Sequence, residues 1–125
     1  MEVKTIEPKK LNEGLGSNLG SLQNYKHFLN GIYTSGVREL AEKYGAYWLI
    51  DAVFSYQGQK STRNIPFQLW ILTVTDSKAV LEMSEDTPDE ETPVLIRQKI
   101  PYTDCPEGII TLYLIDNVLL LPVEY

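Results

Sequence analysis

A single carboxylate, Asp51, interrupts the densest run of aromatic and aliphatic residues in this 125-residue chain, residues 44–56. A carboxylate in so apolar a setting is seldom fully buried unless something pairs with it. One reading is structural, with Asp51 facing a strip of solvent or accepting from a tyrosine hydroxyl or a backbone N–H. The other is a carboxyl group of raised pKa in a pocket, with Trp48 and the turn Tyr102-Thr103-Asp104 around it. The sequence offers neither reading an obvious proton partner. His27 is the only imidazole and Cys105 the only thiol, and they are far apart along the chain. A nucleophilic site needs one of them beside a base, and Cys105, in a turn ahead of Pro106, has no activating neighbour. Asp51 is therefore taken to have no imidazole partner.

Other chemistries find less support. The run Asp86-Thr87-Pro88-Asp89-Glu90-Glu91 holds carboxylates but lacks the glycine and alternating ligands of a calcium loop, so it reads as a solvated loop between strands. A metal site is not expected, and no cofactor is expected either. Gly14-Leu15-Gly16 does not lie between a strand and a helix, as a phosphate-binding loop requires. Tyr47, Trp48, Phe54 and Trp70 could stack bases, but no basic residues are interleaved with them, so they read as core. Thr103 and Asp104, like Thr34 and Ser35, read first as turn and capping residues.

Charge narrows the partners. Of 17 acids, six (Glu82, Glu85, Asp86, Asp89, Glu90, Glu91) fall between Ala79 and Ile96, where there is no Lys or Arg. The other 11 acids are matched by 11 Lys plus Arg, so the net charge of −6 has one local origin. A chain with no basic stripe is a poor nucleic-acid binder, because phosphate neutralisation dominates that affinity. The acidic loop Glu85, Asp86, Asp89, Glu90 and Glu91 instead suits a basic protein partner. One cysteine excludes an intrachain disulfide, and the apolar run 46–54 is too short to cross a bilayer. The expectation is a cytoplasmic domain without a membrane contact.

The elements that must position these groups follow from periodicity. Residues 1–20, with Pro8, Gly14, Gly16 and Gly20, read as a flexible N-terminal arm, and residues 21–125 as one domain. Leu22, Tyr25, Phe28, Leu29 and Ile32 have the spacing of one helical face, predicting a helix over about 22–30 capped by Ser21. A second helix is predicted over 35–44, capped by Thr34 or Ser35, with Val37, Leu40, Ala41 and Tyr44 inward. Gly45 admits two readings: it ends this helix, leaving a third, apolar helix over 46–57, or it sits inside one long helix at a cost of about 1 kcal/mol, and the Lys-Tyr-Gly ending favours the break. After residue 65 the grammar changes to strands at 66–75, 79–83, 94–100, 109–115 and 118–121, with Asp116-Asn117 as a two-residue hairpin turn. The order predicts an α+β fold, helices on one face of an antiparallel meander of about five strands, with the last hairpin either central or covered on both faces.

Several of these residues carry a resemblance. Thr34-x-Gly36-Val37, Leu40-Ala41-Glu42, Ala46-Tyr47-Trp48-Leu49-x-Asp51, Phe67-Gln68-x-Trp70, Tyr102-Thr103-Asp104-x-Pro106 and Leu119-Leu120-Leu121-Pro122-x-Glu124-Tyr125 resemble an uncharacterised bacterial family, over about residues 22–125. Cys105 and Val123 depart from its pattern. The resemblance implies a phage or plasmid setting and no particular activity. The expectation is a non-enzymatic accessory protein that binds a host or phage protein. A small-molecule binder or enzyme around Asp51 is the second reading, and an acidic mimic of nucleic acid the third. A homo-oligomer remains open.

Overall fold

Thr34 opens the helical part of the chain. Its Oγ1 accepts the Val37 N–H at 3.3 Å, which caps the first helix, α1 (Ser35–Tyr44); a cap of this kind contributes about 1 kcal/mol. Val37, Leu40 and Ala41 are its buried face. Gly45 ends it in the left-handed region, φ 61°, with its N–H returned to the Ala41 carbonyl, where a side chain would be strained. The break turns the chain into α2 (Tyr47–Ser55), which buries Leu49, Ile50, Val53 and Phe54 and ends in a short 3-10 turn, Tyr56–Gly58. Burying each of these side chains is worth roughly 1.5–3 kcal/mol. The computed structural model describes residues 10–11, 24–60, 62, 64–85 and 92–125.

Among the described residues seven strands form one sheet: β1 (Asn24–Lys26), β2 (Ile32–Thr34), β3 (Phe67–Thr75), β4 (Lys78–Glu85), β5 (Val94–Ile100), β6 (Gly108–Ile115) and β7 (Val118–Leu120). Their spatial order is β1-β2-β7-β6-β3-β4-β5. All neighbours are antiparallel except β2 and β7, which run parallel. The fold is α+β as the order of elements predicted, with more strands than the five or so expected. It departs from a simple meander where the chain leaves β5 at one edge and returns as β6 on the far side of β3. The last hairpin is interior, as its unbroken apolarity implied. Asp116 and Asn117 make its turn with φ 48° and 69°.

The helix expected over about 22–30 is corrected. Asn24–Lys26 is a strand paired with Ile32–Thr34, and a turn joins them, with Asn30 at φ 70°. Residues 21–23, including the expected cap Ser21, lie outside the described residues. The 3.6 spacing misled because Phe28 and Leu29 are not on an inward face: they are 76% and 44% exposed at the turn. What decides this segment is the pairing of β2 with β7, some 85 residues away in sequence.

Strand alternation divides the sheet into two faces. Trp70, Leu72, Val74, Leu81, Met83, Ile110, Leu112 and Leu114 are buried together with the helices' apolar stripes. Leu11 joins this core from the expected N-terminal arm, donating its N–H to the Ile109 carbonyl at 2.9 Å, while its carbonyl accepts from the Tyr44 hydroxyl. Lys10 beside it forms an isolated parallel bridge with Ile109, and the rest of that arm lies outside the described residues. The opposite face carries Phe67, Leu69, Ile71, Tyr113, Ile115 and Val118, mostly half-buried.

Candidate functional site

Asp51 does have an imidazole partner, against expectation. His27 Nε2 lies 2.6 Å from Asp51 Oδ1, across 24 residues of sequence. His27 is buried, whereas the Asp51 side chain is 56% exposed. The turn after β1 makes this possible: Asn30 donates its N–H to the His27 carbonyl and His27 donates its own to the Gly31 carbonyl, folding the ring back over α2. There it packs on Phe54 at 4.8 Å between ring centroids. Gly31 is needed at that point, since a Cβ on it would fall 2.1 Å from the Phe54 ring.

The same geometry fixes the tautomer. The Leu29 backbone N–H points at His27 Nδ1, 3.1 Å away. A backbone N–H only donates, so Nδ1 carries the lone pair and the ring proton sits on Nε2, donated to Asp51. A catalytic Asp–His pair leaves one ring nitrogen free to take a proton from a nucleophile or water. Here both are engaged, one by Asp51 and one by the backbone. The pair ties the β1–β2 turn to α2.

A cleft of about 850 Å³ opens beside this pair, between the end of α2, Thr62 with residues 64–66, and the Asp116-Asn117 turn. Leu29, Phe54 and Ser55 line it, but Asp51 and Trp48 do not. Trp48 is half-buried against the core. The polar floor of the cleft is saturated by its own neighbours. Gln57 and Gln68 exchange amide hydrogen bonds of 3.0 and 2.8 Å. Gln68 Nε2 also donates to the Thr62 and Ile65 carbonyls, and Trp70 Nε1 donates to Gln68 Oε1. This accounts for Phe67-Gln68-x-Trp70: the two-residue step puts amide and indole on one face of β3, where each satisfies the other. Such a network specifies packing and leaves few groups for a ligand.

Tyr102, Thr103 and Asp104 stand elsewhere. Thr103 donates its N–H to the Ser77 carbonyl at 2.8 Å, and its Oγ1 accepts from the Cys105 N–H. The segment therefore belongs to the β3–β4 turn, at the far end of β3 from the cleft, roughly 27 Å along the strand. The Tyr102 hydroxyl donates to Asp104 Oδ1, and that hydrogen bond and charge push the phenol above its ordinary pKa. Burial pushes the Cys105 thiol up, away from a reactive thiolate. Of the acidic loop, Glu85 is described and exposed at the end of β4; Asp86, Asp89, Glu90 and Glu91 lie outside the described residues. Among the described residues no cluster of three His, Cys, Asp or Glu side chains could hold a metal.

A second carboxylate emerges that the residue pattern alone did not mark. Glu124 Oε1 accepts from the Thr34 hydroxyl at 2.6 Å and from the Leu121 N–H at 2.8 Å. Its Oε2 is buried without a hydrogen-bond partner. It lies over the first turn of α1, where a Cβ on Gly36 would be within 2.8 Å. The positive end of the helix dipole offsets part of that charge. Thr34, Gly36 and Glu124 thus explain each other: the cap, the space and the anion occupy one place. Only the separate resemblance motifs gave any sign of it.

Fold and site together define a seven-stranded mixed sheet with two helices on one face, held by polar clamps that are largely internally satisfied. Over residues 9–125 the chain matches a family described as "Family of unknown function (DUF6876)", and it belongs to that family. No curated protein and no solved structure matches it. Among the described residues no helix is long and apolar enough to cross a membrane.

Proposed function

We propose that this chain is a non-enzymatic interaction protein that binds a basic partner protein through one end of the face opposite the helices. The observation that carries this is the gradient across that face. Cross-strand register lines up Val94, Ser84, Leu69, Tyr113 and Leu120 in one row, and Phe67, Ile115 and Val118 in the next. Tyr125 closes edge-on against Phe67 and Tyr113, with centroids 5.7 and 5.8 Å away, and is itself 77% exposed. Further along the same strands the face becomes mixed: Arg97, Glu82 and Thr111 share a row with Ile71, and Lys99 and Thr73 share the row of Val80 and Ile109. The apolar end is the end at which Glu85 and Val94 bracket the acidic loop. An exposed aromatic patch at the end of the sheet where β4 closes on exposed Glu85 suits a partner with an apolar anchor flanked by Lys or Arg.

The engaged nitrogens of His27 and the buried thiol speak in the same direction. The resemblance to proteins of bacterial mobile elements suggests an accessory role toward a host or phage protein, and a single buried thiol suits the cytoplasm. The test is affinity capture from a bacterial lysate with three proteins in parallel. These are the native chain, a patch variant (Tyr125→Ser), and a loop variant with Glu85, Asp86, Asp89, Glu90 and Glu91 changed to amides. The expected result is a partner retained by the native chain, lost at least tenfold by both variants, and released by salt. A captured set indifferent to both variants overturns the reading.

A further inference from the structure

β5 is the last strand of the sheet, and among the described residues no strand pairs with its outer side. Which backbone groups it presents there follows from the hairpin before it. Asp76 and Ser77 both hold positive φ, 53° and 61°, in a two-residue turn closed by Thr75 and Lys78. That closing pair is hydrogen-bonded. Alternation along β4 then directs the backbone groups of Ala79, Leu81 and Met83 towards β5. Their partners there are Ile100, Gln98 and Ile96. The N–H and C=O of Arg97 and Lys99 therefore point outward, on the regular half of the strand beyond the irregularity at Met83/Ser84.

Both outward residues are cations, and both are exposed. Arg97 has a loose partner in Glu82, 3.8 Å away on β4. A second copy adding antiparallel to this stretch would set Arg97 against Arg97 or against Lys99, which opposes self-pairing. The same two charges would favour a strand of the other sign. Among the described residues the opposite edge, β1, has three residues, which leaves β5 as the longer edge there.

We infer that the outer edge of β5 is a strand-addition site for an extended segment of another protein bearing acidic residues at alternate positions. The added strand runs antiparallel, like the existing neighbour, with two acids i and i+2 opposite Lys99 and Arg97. Its main chain bonds the outward groups of those two residues. The charges that guard the edge against its own kind select the partner. The edge is a separate surface from the aromatic patch, so either can fail without the other.

The experiment uses the intact protein and two synthetic peptides, Thr-Val-Glu-Val-Glu-Val-Thr and Thr-Val-Lys-Val-Lys-Val-Thr. With the acidic peptide at millimolar concentration, amide exchange at Arg97 and Lys99 is expected to slow at least tenfold. Exchange at Ile96 and Gln98, already bonded to β4, should stay the same, and the basic peptide should have no effect. Lys99→Pro removes one outward N–H while leaving the β4 ladder intact, and proline is tolerated where an edge N–H faces solvent. It should weaken the acidic peptide at least tenfold with the fold retained by circular dichroism. Arg97→Ala with Lys99→Ala should abolish the preference between peptides, and this pair decides the matter if the proline variant does not fold. Unchanged exchange at Arg97 and Lys99, equal binding of both peptides, or a dimer that Lys99→Pro dissociates overturns the proposal.

Discussion

Asp51 holds His27 from the surface of α2, with more than half of its side chain in water, whereas Glu124 holds Thr34 and Leu121 with one oxygen buried and unpaired. Both carboxylates fasten a distant stretch of chain to a helix, and both contacts lean on a glycine. Gly31 makes room for the Phe54 ring under His27, and Gly36 makes room for the Glu124 carboxylate itself. The difference lies in what the glycine protects. At Gly31 it is the ring of a buried aromatic, and at Gly36 the mobile end of a side chain. The exposed acid can be screened by water when its partner is lost. The buried one cannot.

That contrast can be broken or sharpened by substitution. Gly31→Ala should be the most damaging, at about 3 kcal/mol, because the Phe54 ring must leave its site in the core; urea denaturation measures it. A loss below that of the Glu124 variants would mean the ring has room to shift. Next, Glu124→Ala should cost about 2 kcal/mol, for two hydrogen bonds to a carboxylate. Gly36→Ala should destabilise the native chain but become neutral or stabilising once Glu124 is Ala, because alanine is about 1 kcal/mol the better helix former. Additive effects in that double-mutant cycle would separate Gly36 from the carboxylate.

Smaller effects belong to the exposed acid. Asp51→Ala should cost about 1 kcal/mol after allowance for exposure, and Asp51→Asn less, since an amide oxygen still accepts from His27 Nε2. If Asp51→Ala proved as costly as Glu124→Ala, exposure would not be what separates the two clamps. The smallest change is expected at Tyr102 and Asp104, a pair that fastens nothing. Asp104→Asn should bring the Tyr102 phenol back down towards its ordinary pKa in an ultraviolet titration and leave the denaturation midpoint where it was. A shifted midpoint would show that this turn, too, is a clamp.

Short-range signals were legible and long-range ones were not. Helix α1 has the bounds that its cap and stripe imply, Gly45 breaks the chain where a Lys-Tyr-Gly sequence suggests, and β5 begins and ends where its alternation does. Each of these is decided within about ten residues. Leu22 to Ile32 failed because its helical spacing competes with a parallel partner near the other end of the chain, and spacing carries no information about β7. His27 was dismissed as Asp51's partner for the same reason. Sequence distance stood in for distance in space, and a turn of four residues cancels 24. The Glu124 contact spans 90 residues and left no mark in composition or periodicity. Its trace was a glycine in the first turn of a helix, at a position where capping rules alone would accept many residues.

The contact between Thr34 and Glu124 also sets an order of events. An isolated helical turn forms and melts within microseconds, but the carboxylate that sits on α1 is encoded 90 residues later. At ribosomal speeds of about 5–20 residues per second, that interval is roughly 5–20 s. Throughout it the first turn of α1 has its threonine cap and no anion over Gly36, and β2 has yet to meet β7. The helices and the β3–β4–β5 hairpins can assemble in that time, because their contacts are local. Closure of the sheet at β7 and seating of Glu124 both wait until residues 118–124 have been made.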